Sequence, residues 1–590
     1  MKKTGLLFVL IAFAISSCGS GGTPPTVTST NATGKRLYPT SAISVTFSTA
    51  MDQASVEAAF QITGSGPVSG AFAWTDNTVT FTPSALWKTH HPYTITIQNT
   101  AKDAQGNNME NVYTQIFRPS INMHDVNGDG IDDIFVSAPD NDESGLDGGM
   151  AYLFLGKTAW SNIDLATQTA DAQYNVEGGT DMKFGLFANI VGDINGDGFA
   201  DMIASAPNAD SGGADAGFIA IIYGSATPVS HSFTPADTDA DILVGPVADT
   251  GLGAGVYPAG DVNGDGLADF IVAGKYLPDD FQFWLVLGRT TPYGFLQPVT
   301  NVAAASYIIK GSIGFAALPF NSCDVNGDEL DDLVITSPAS NGGGTARGEV
   351  YYIPGAATPA GLDLRTQAAT ATFTGAEDNA QLGFQILPGC DDANNDGYDD
   401  IIISSPWSNS FKGTTYLVLG SATPASINFG TGSASATYIG DAALTGMGVA
   451  LSVPGDVNND GYNDLILGAP FKALVPHDFM GEAYLFLGSA APASVDMSSG
   501  GAAAATFIGK PPPAGMDTVF GCTKPIGDVN GDGIDDMFFN ASAAPDGTSR
   551  GIIYIVFGSA TPASIDFATG SANVTITGHA DGDLLSVCPI

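Results

Sequence analysis

One nine-residue phrase, Asp-x-Asn-x-Asp-x-x-x-Asp, recurs seven times and constrains this chain more than any other feature. It begins at Asp125, Asp193, Asp261, Asp324, Asp392, Asp456 and Asp528, at intervals of 68, 68, 63, 68, 64 and 72 residues. Its sixth position is glycine except in the fourth copy, where Glu329 stands. A period of this size signals a repeat architecture, in which each unit buries its apolar surface only against its neighbours.

Three carboxylates and an amide oxygen crowded into nine residues repel one another unless a cation sits among them. Calcium takes about six to eight oxygens in irregular geometry, whereas magnesium demands a tighter octahedron. The lack of His and Cys in the phrase argues against zinc and copper. The expected ligands are the side chains at positions one, three, five and nine and the carbonyl at position seven. In the first copy these are Asp125, Asn127, Asp129, Ile131 and Asp133; in the second, Asp193, Asn195, Asp197, Phe199 and Asp201. The third and fourth supply Asp261, Asn263, Asp265, Leu267, Asp269 and Asp324, Asn326, Asp328, Leu330, Asp332. The last three supply Asp392, Asn394, Asp396, Tyr398, Asp400; Asp456, Asn458, Asp460, Tyr462, Asp464; and Asp528, Asn530, Asp532, Ile534, Asp536. Up to seven Ca2+ ions are therefore expected, the fourth loop being the least regular. An EF-hand would need Glu at position twelve, but Val136 and Ala204 stand there, and the next residues are short β runs such as DIFVSAP and DLILGAP. The alternative is a metal-free Asn-Gly or Asp-Gly hairpin, which does not need aspartate at positions one, five and nine together.

Net charge is −42, with 61 acidic and 19 basic residues, and the aspartates at positions one, five and nine of the loops make up 21 of those acids. Such a chain lacks the basic footprint that nucleic acid or anionic lipid requires. Its N-terminus reads as an export signal: Lys2 and Lys3, an apolar stretch from Leu6 to Ile15, then Ser16-Ser17-Cys18. Ile15 to Cys18 resembles a bacterial lipobox, which implies a signal peptide over 1–17, lipidation of Cys18 and a tether over 18–25. Gly19 after the cysteine favours, by that resemblance, the outer membrane. Cys323, Cys390, Cys522 and Cys588 remain. Equivalent positions in neighbouring repeats suggest pairs 323–390 and 522–588, with free buried thiols as the alternative.

Each repeat continues with an apolar strand that closes on glycine: Gly156, Gly224, Gly288, Gly355, Gly420, Gly488 and Gly558. A further short strand follows in most units, as in ATFTG and VTITG, and an FG-like strand such as Phe184-Gly185 leads into the next loop. Four short strands per unit without helical periodicity imply propeller blades. These residues, with Gly468-Ala469-Pro470 and its variants at Ser137 and Ser205, resemble the FG-GAP repeats of integrin alpha-subunits over roughly 470 residues. The expected fold is all-β: a seven-bladed propeller over 120–590, its C-terminal DLLSVCPI completing the first blade. Ala273-Gly274-Lys275 and Asn540-Ala541-Ser542 replace the GAP triplet, so local departures are expected in the third and seventh units.

Residues 26–119 show the alternation of half-buried strands, as in Ile43, Val45, Phe47 and Tyr93, Ile95, Ile97. ISVTFSTAMDQASV and its sequel resemble bacterial Ig-like domains, which implies a small β-sandwich. His90-His91 reads as a surface turn. The only nucleophile-elbow match, GTSRG at 547–551, lies between blade strands and reads as chance.

The expected function is non-enzymatic: a calcium-binding, lipid-anchored envelope protein that binds or adheres to an extracellular protein or glycan. A structural envelope component and a polysaccharide-active enzyme are the alternatives. Resemblance to integrin propellers implies that the metal loops occupy one face and a partner the other. The presenting loops are then 140–149, 208–217, 340–348 and 471–481, joined by 177–183 and 510–517, with Phe471 and Phe479 as possible contacts.

Overall fold

The computed structural model describes residues 23–32, 37, 41–64, 66–85, 87, 93–117, 119, 124–178, 180–211, 213–234, 240–277, 280–294, 297–310, 323–384, 392–441, 445–472, 480–510, 520–541 and 548–585. The calls on the signal segment, Cys18, His90-His91, Cys390, Phe479 and Cys588 lie outside them. The chain divides into two compact units, one of Met1–Leu37, Ser41–Leu86 and Pro92–Arg118, the other of Tyr38–Thr40, Trp87–His91 and Pro119–Ile590.

In the first unit, one sheet orders Val27–Thr30, Ile43–Phe47, Thr78–Pro83 and Gly70–Thr75; the other orders Phe60–Thr63, Tyr93–Ile97 and Tyr113–Phe117. Alternate residues of Ile43–Phe47 and Tyr93–Ile97 are buried, the two-residue period of a strand with one face covered. Phe60 packs its ring on Phe72 and Phe81 of the other sheet, at 5.3 and 5.7 Å between centroids. A helix absent from the sequence reading, Gln53–Ala59, starts where Asp52 accepts the Ser55 N–H at 3.1 Å.

The second unit contains seven sheets among the described residues, one per repeat. Their middle strands are antiparallel. In the first, Ile134–Ala138 pairs with Met150–Phe154, which pairs with Ala172–Val176. Each sheet then gains a short parallel strand from the next repeat: His231–Phe233 lies beside Ala172–Val176, and Ile427–Asn428 beside Ala371–Thr374. The seventh sheet receives its parallel strand, Ile163–Asp164, from the first repeat. Innermost strands Ala188–Gly192, Gly255–Gly260, Ala450–Gly455 and Phe520–Cys522 complete four of the sheets. The call that 583–590 completes the first sheet falls largely outside the described residues, which end at Leu585.

Apolar packing follows the same cyclic order. Ile134 and Val136 face Ile553, Ile555 and Val574 of the seventh sheet, whereas Phe135 faces the core shared with Met202 and Ala220 of the second. Successive side chains of a strand point to opposite faces, and both faces are covered, so Ile134–Ala138 is buried throughout. The same condition explains why these strands read as unbroken apolar runs. Among the described residues, apolar cores join each sheet to the next and the seventh to the first.

The third sheet departs from the others, as its altered triplet suggests: Asp269–Leu277, Asp280–Val286 and Ala303–Lys310 are longer than their counterparts. Ala541 ends the corresponding strand of the seventh sheet, and Ser542 lies outside the described residues. Cys323 and Cys522 are disulfide-bonded. Their expected partners, Cys390 and Cys588, are among the residues not described.

Candidate metal centres

All seven acidic loops have one backbone design. The position-one aspartate accepts the position-five and position-six N–H groups on its two oxygens, at 2.9–3.2 and 2.7–2.8 Å. The position-five carboxylate accepts the position-seven N–H at 2.9–3.1 Å. In six loops the position-three asparagine oxygen accepts the position-five N–H. The fourth is the exception: the Asn326 amide donates to Asp332 and Tyr352 instead.

Two left-handed residues curl each loop, at positions four and six. Gly128 and Gly130 have φ of +74° and +86° in the first. Asn395 and Asn459 fill position four in the fifth and sixth loops, and asparagine tolerates this region better than other side chains. Glu329 holds φ of +70° and still donates its N–H to Asp324 at 2.8 Å. The irregular fourth loop therefore keeps the shared turn, at a strain of roughly 1–2 kcal/mol.

The position-nine aspartate works across the sheet. It accepts the position-two N–H at 2.7–3.2 Å. On its other oxygen it accepts the N–H of the closing glycine at 2.7–2.9 Å. A Cβ on that glycine would meet backbone oxygens: at Gly420 it would lie 2.4 Å from the Asp399 oxygen and 2.9 Å from that of Val325. This is why each apolar strand ends in glycine.

The residue after the glycine reaches back to the preceding loop. Ser225, Arg289, Ala356, Ser421, Ser489 and Ser559 donate to the position-two carbonyls of loops one to six, and Lys157 donates to Val529 of loop seven at 3.0 Å. Position-seven side chains also lean on the loop before: Phe199 over Gly128, Leu267 over Gly196, and Ile131 over Gly531. Sequence reading gave position seven only a carbonyl. Its side-chain role and the reach-back bonds depend on neighbours some 70 residues away, so no local signal marks them.

Burial acts strongly on the acids. It pushes the position-nine carboxyls of Asp133 and Asp536 up to about 8 and those of Asp332, Asp400 and Asp464 up to about 7, the neighbouring loop aspartates adding to the rise. Asp201 and Asp269 are raised well above the ordinary range by the same causes. At position one, burial raises Asp125 and Asp193, and lifts Asp261 to about 6.

Position nine is buried in all seven loops, position one is buried in the first four and half-buried in the other three, and position five is exposed. Yet no three acidic, His or Cys side chains converge as a ready ligand set among the described residues. Their oxygens accept backbone N–H groups instead. The donor chemistry still fits a hard cation. All the donors are oxygens, each carboxylate oxygen has a second lone pair, the buried acids raise one another's pKa values, and the exposed position-five side chains are free of packing. Closing on an ion requires those side chains to rotate.

The nucleophile-elbow match is described from Thr548 onward. Ser549 donates its N–H to Asp581 at 2.7 Å, and strand Ile552–Val556, not a helix, follows.

The profile of the bacterial Ig-like domain matches residues 21–118, and that of the FG-GAP repeat matches 188–222 and 447–476. Phosphatidylinositol-glycan-specific phospholipase D of Bos taurus is 27% identical over 199 residues, covering 33% of this chain and 23% of the enzyme. That of Dictyostelium discoideum is 34% identical over 168 residues, covering 26% and 17%. Integrin alpha-PS2 of Drosophila melanogaster is 32% identical over 130 residues, covering 20% and 9%. The chain spans less than a quarter of the length of these relatives.

Proposed function

From a chain that carries a bacterial Ig-like domain followed by FG-GAP repeats, we propose a calcium-dependent extracellular binding module: a seven-bladed β-propeller that presents loops to a protein or glycan. The observation that carries the reading is the cyclic series of acidic loops, in which each loop is hydrogen-bonded to the one before and the first to the seventh. Such an arrangement uses its acids to hold sheets together at one end of the strands, away from the loops at the other. In the first repeat the acidic loop precedes Ile134–Ala138 and the 140–149 loop follows it. A five-residue strand separates these ends by roughly 15 Å.

The ions would be held by positions one, three, five, seven and nine of each loop. Bound calcium would supply two positive charges against the three carboxylates at positions one, five and nine of each loop, a structural and not a reactive role. The chain's own residues set the geometry: closing glycines fix the position-nine carboxylates, and the left-handed residues at positions four and six keep position one curled inward. Anchoring through a lipidated Cys18 at the outer membrane completes the reading, with the Ig-like domain as spacer.

Integrin alpha-PS2 supports the binding reading, and the phospholipase D matches keep a second one open, in which the repeats belong to an enzyme. A glycan array and a protein pull-down, each with and without calcium, test the first. Saturable retention lost in chelator supports it. Release of product from glycosylphosphatidylinositol or polysaccharide, with no retained partner, would replace it by the second.

A further inference from the structure

In five repeats the strand after the acidic loop runs into proline, and the next residue is Asp140, Asn208, Ala339, Trp407 or Phe471. It is aromatic only in the fifth and sixth repeats, whose sheets share a core. Trp407 and Phe471 stand two residues beyond strands Ile401–Ser405 and Asp464–Ala469, at the ends away from the acidic loops. There they gather two more rings. Trp407 stacks on Phe471 at 5.9 Å between centroids, meets Phe384 edge-on at 5.5 Å and lies 6.1 Å from Phe411. Phe384 is buried, Trp407 and Phe471 are half-buried, and Phe411 is 48% exposed. The loop that carries Trp407 and Phe411 is not among the presenting loops expected from the sequence.

That loop is bent to display Phe411. Asn409, Ser410 and Phe411 all hold left-handed backbone, with φ of +52°, +61° and +64°, the only such run of three non-glycine residues among the described residues. The loops after Asp140 and Asn208 use glycine in their left-handed turns, at Gly145 and Gly213. Left-handed backbone is costly for a residue with a Cβ, least so for asparagine. Strain of this kind persists only where its surroundings fix it, and it collects at ligand-binding segments. Here Glu377 accepts the Asn409 N–H at 2.9 Å, the Ser408 hydroxyl donates to the Ser405 carbonyl at 2.7 Å, and the Trp407 Nε1–H donates to Gln381 at 2.9 Å. The result is an apolar ring held out into solvent and braced by an indole, with the exposed Ser410 and the half-buried Asn409 next to it in the chain.

The chemistry of this patch selects its ligand. An aromatic face carries negative charge density, which attracts C–H groups polarised by neighbouring oxygens, as on the apolar face of a pyranose. Hydroxyl and amide side chains beside the ring both donate and accept, as sugar hydroxyls require. The single lysine of the loop, Lys412, stands against Glu377 and a net charge of −42, so the surroundings disfavour a sulfated or uronic sugar. A standard protein interface takes about 800 Å2 per partner around an apolar centre, whereas one half-exposed ring offers roughly 100 Å2.

We propose that Phe411, with Trp407 behind it and Asn409 and Ser410 beside it, is the stacking platform of a subsite for a neutral sugar ring of a glycan. The proposal names the ligand class for the binding reading above and rests on it.

The test is a printed array of neutral oligosaccharides (cello-, manno-, xylo- and chito-hexaose) with polygalacturonate and alginate as acidic probes, read with the full chain in calcium. Any hexaose retained is then titrated by calorimetry, and amide exchange is followed with and without it. At least one neutral hexaose should be retained in preference to the acidic probes, and it should slow exchange at Ser410 and Phe411. Phe411→Ala should weaken binding by about tenfold or more, while exchange in Ile401–Ser405 stays as in wild type because the ring is exposed. Phe411→Tyr keeps the ring face and should stay within about twofold of wild type.

Equal affinity of wild type and Phe411→Ala for the hexaose overturns the inference, as does retention of the acidic probes as strong as that of the neutral ones. So does a wild type that retains none of the probes yet holds a protein in the pull-down, which leaves the binding reading standing with a protein as partner. A wild type that holds neither glycan nor protein sinks the binding reading as well.

Discussion

Gly420→Ala adds one methyl group at a place where two acidic loops meet. The new Cβ would lie 2.4 Å from the Asp399 oxygen, 2.7 Å from the Tyr398 Cβ and 2.9 Å from the Val325 oxygen. Two of these three atoms are backbone in loops that other bonds already fix, so the strand must move. Moving it strains two hydrogen bonds: Gly420 N–H to the Asp400 carboxylate at 2.9 Å, and Ser421 N–H to the Val325 carbonyl at 2.9 Å. Overpacking costs about 1–3 kcal/mol. Weakening one neutral and one charge-assisted bond brings the total to roughly 3–5 kcal/mol. Gly461→Ala is the matched control. It has open space but φ of +92°, and its cost is only the left-handed penalty of about 1–2 kcal/mol. Native-state hydrogen exchange in calcium reads both variants strand by strand, without assuming that a two-unit chain unfolds in one step. Opening free energies in Ile401–Ser405 and Thr414–Val418 should fall about two to three times as far in Gly420→Ala as in Gly461→Ala. Equal losses would refute the claim that closing glycines are required by close approach of neighbouring loops.

Three further outcomes are expected. In chelator, position-nine aspartates with folded pKa values of about 7–8 bind protons more tightly folded than unfolded; stability present at acid pH is then lost as pH rises through that range. Differential scanning fluorimetry should show Tm falling from pH 5 to 8.5 in chelator but not in calcium. Asp583→Ala removes a carboxylate that accepts from the fully buried Asn141 amide at 2.9 Å, joining the last repeat to the first; the orphaned amide should cost about 1–3 kcal/mol, read as faster exchange in Ile134–Ala138 and Ile552–Val556 with the fourth sheet unchanged. Phe81→Ala empties the aromatic centre of the first unit, where Phe60 and Phe72 converge on it, and should cost about 3–5 kcal/mol; calorimetry should show one transition lowered and the transition of the second unit in place.

Much of the fold is legible because its signals are local. The repeated phrase, the closing glycines and the apolar runs mark one strand pair per repeat, and alternation in Ile43–Phe47 marks a sheet with one covered face. The altered Ala273-Gly274-Lys275 triplet marks the one sheet whose strands run long. What escapes is either short or distant. Gln53–Ala59 is too brief for a helical period, and only Asp52 before it hints at a cap. Parallel strands of two residues, such as Ile163–Asp164, have no pattern of their own and exist because a neighbouring repeat lies alongside. At the candidate site, sequence assigns residues to loops but not their bonds. Asp133 is recognisable as an acid at position nine, whereas its partner Gly156 lies 23 residues on. Position eight varies from Asp331 to Ala268, so the bond in which Asp331 accepts the Asp261 N–H at 2.6 Å belongs to no motif until the loops are brought together.

The most direct measurement is the number of divalent ions carried by the folded chain, counted by native mass spectrometry after dialysis against calcium and again after chelator, with Tm recorded in both states. Seven ions lost together with a marked fall in Tm is the expected result. A chain that carries no calcium, or that melts at the same temperature in either state, would contradict the role given to its acidic loops.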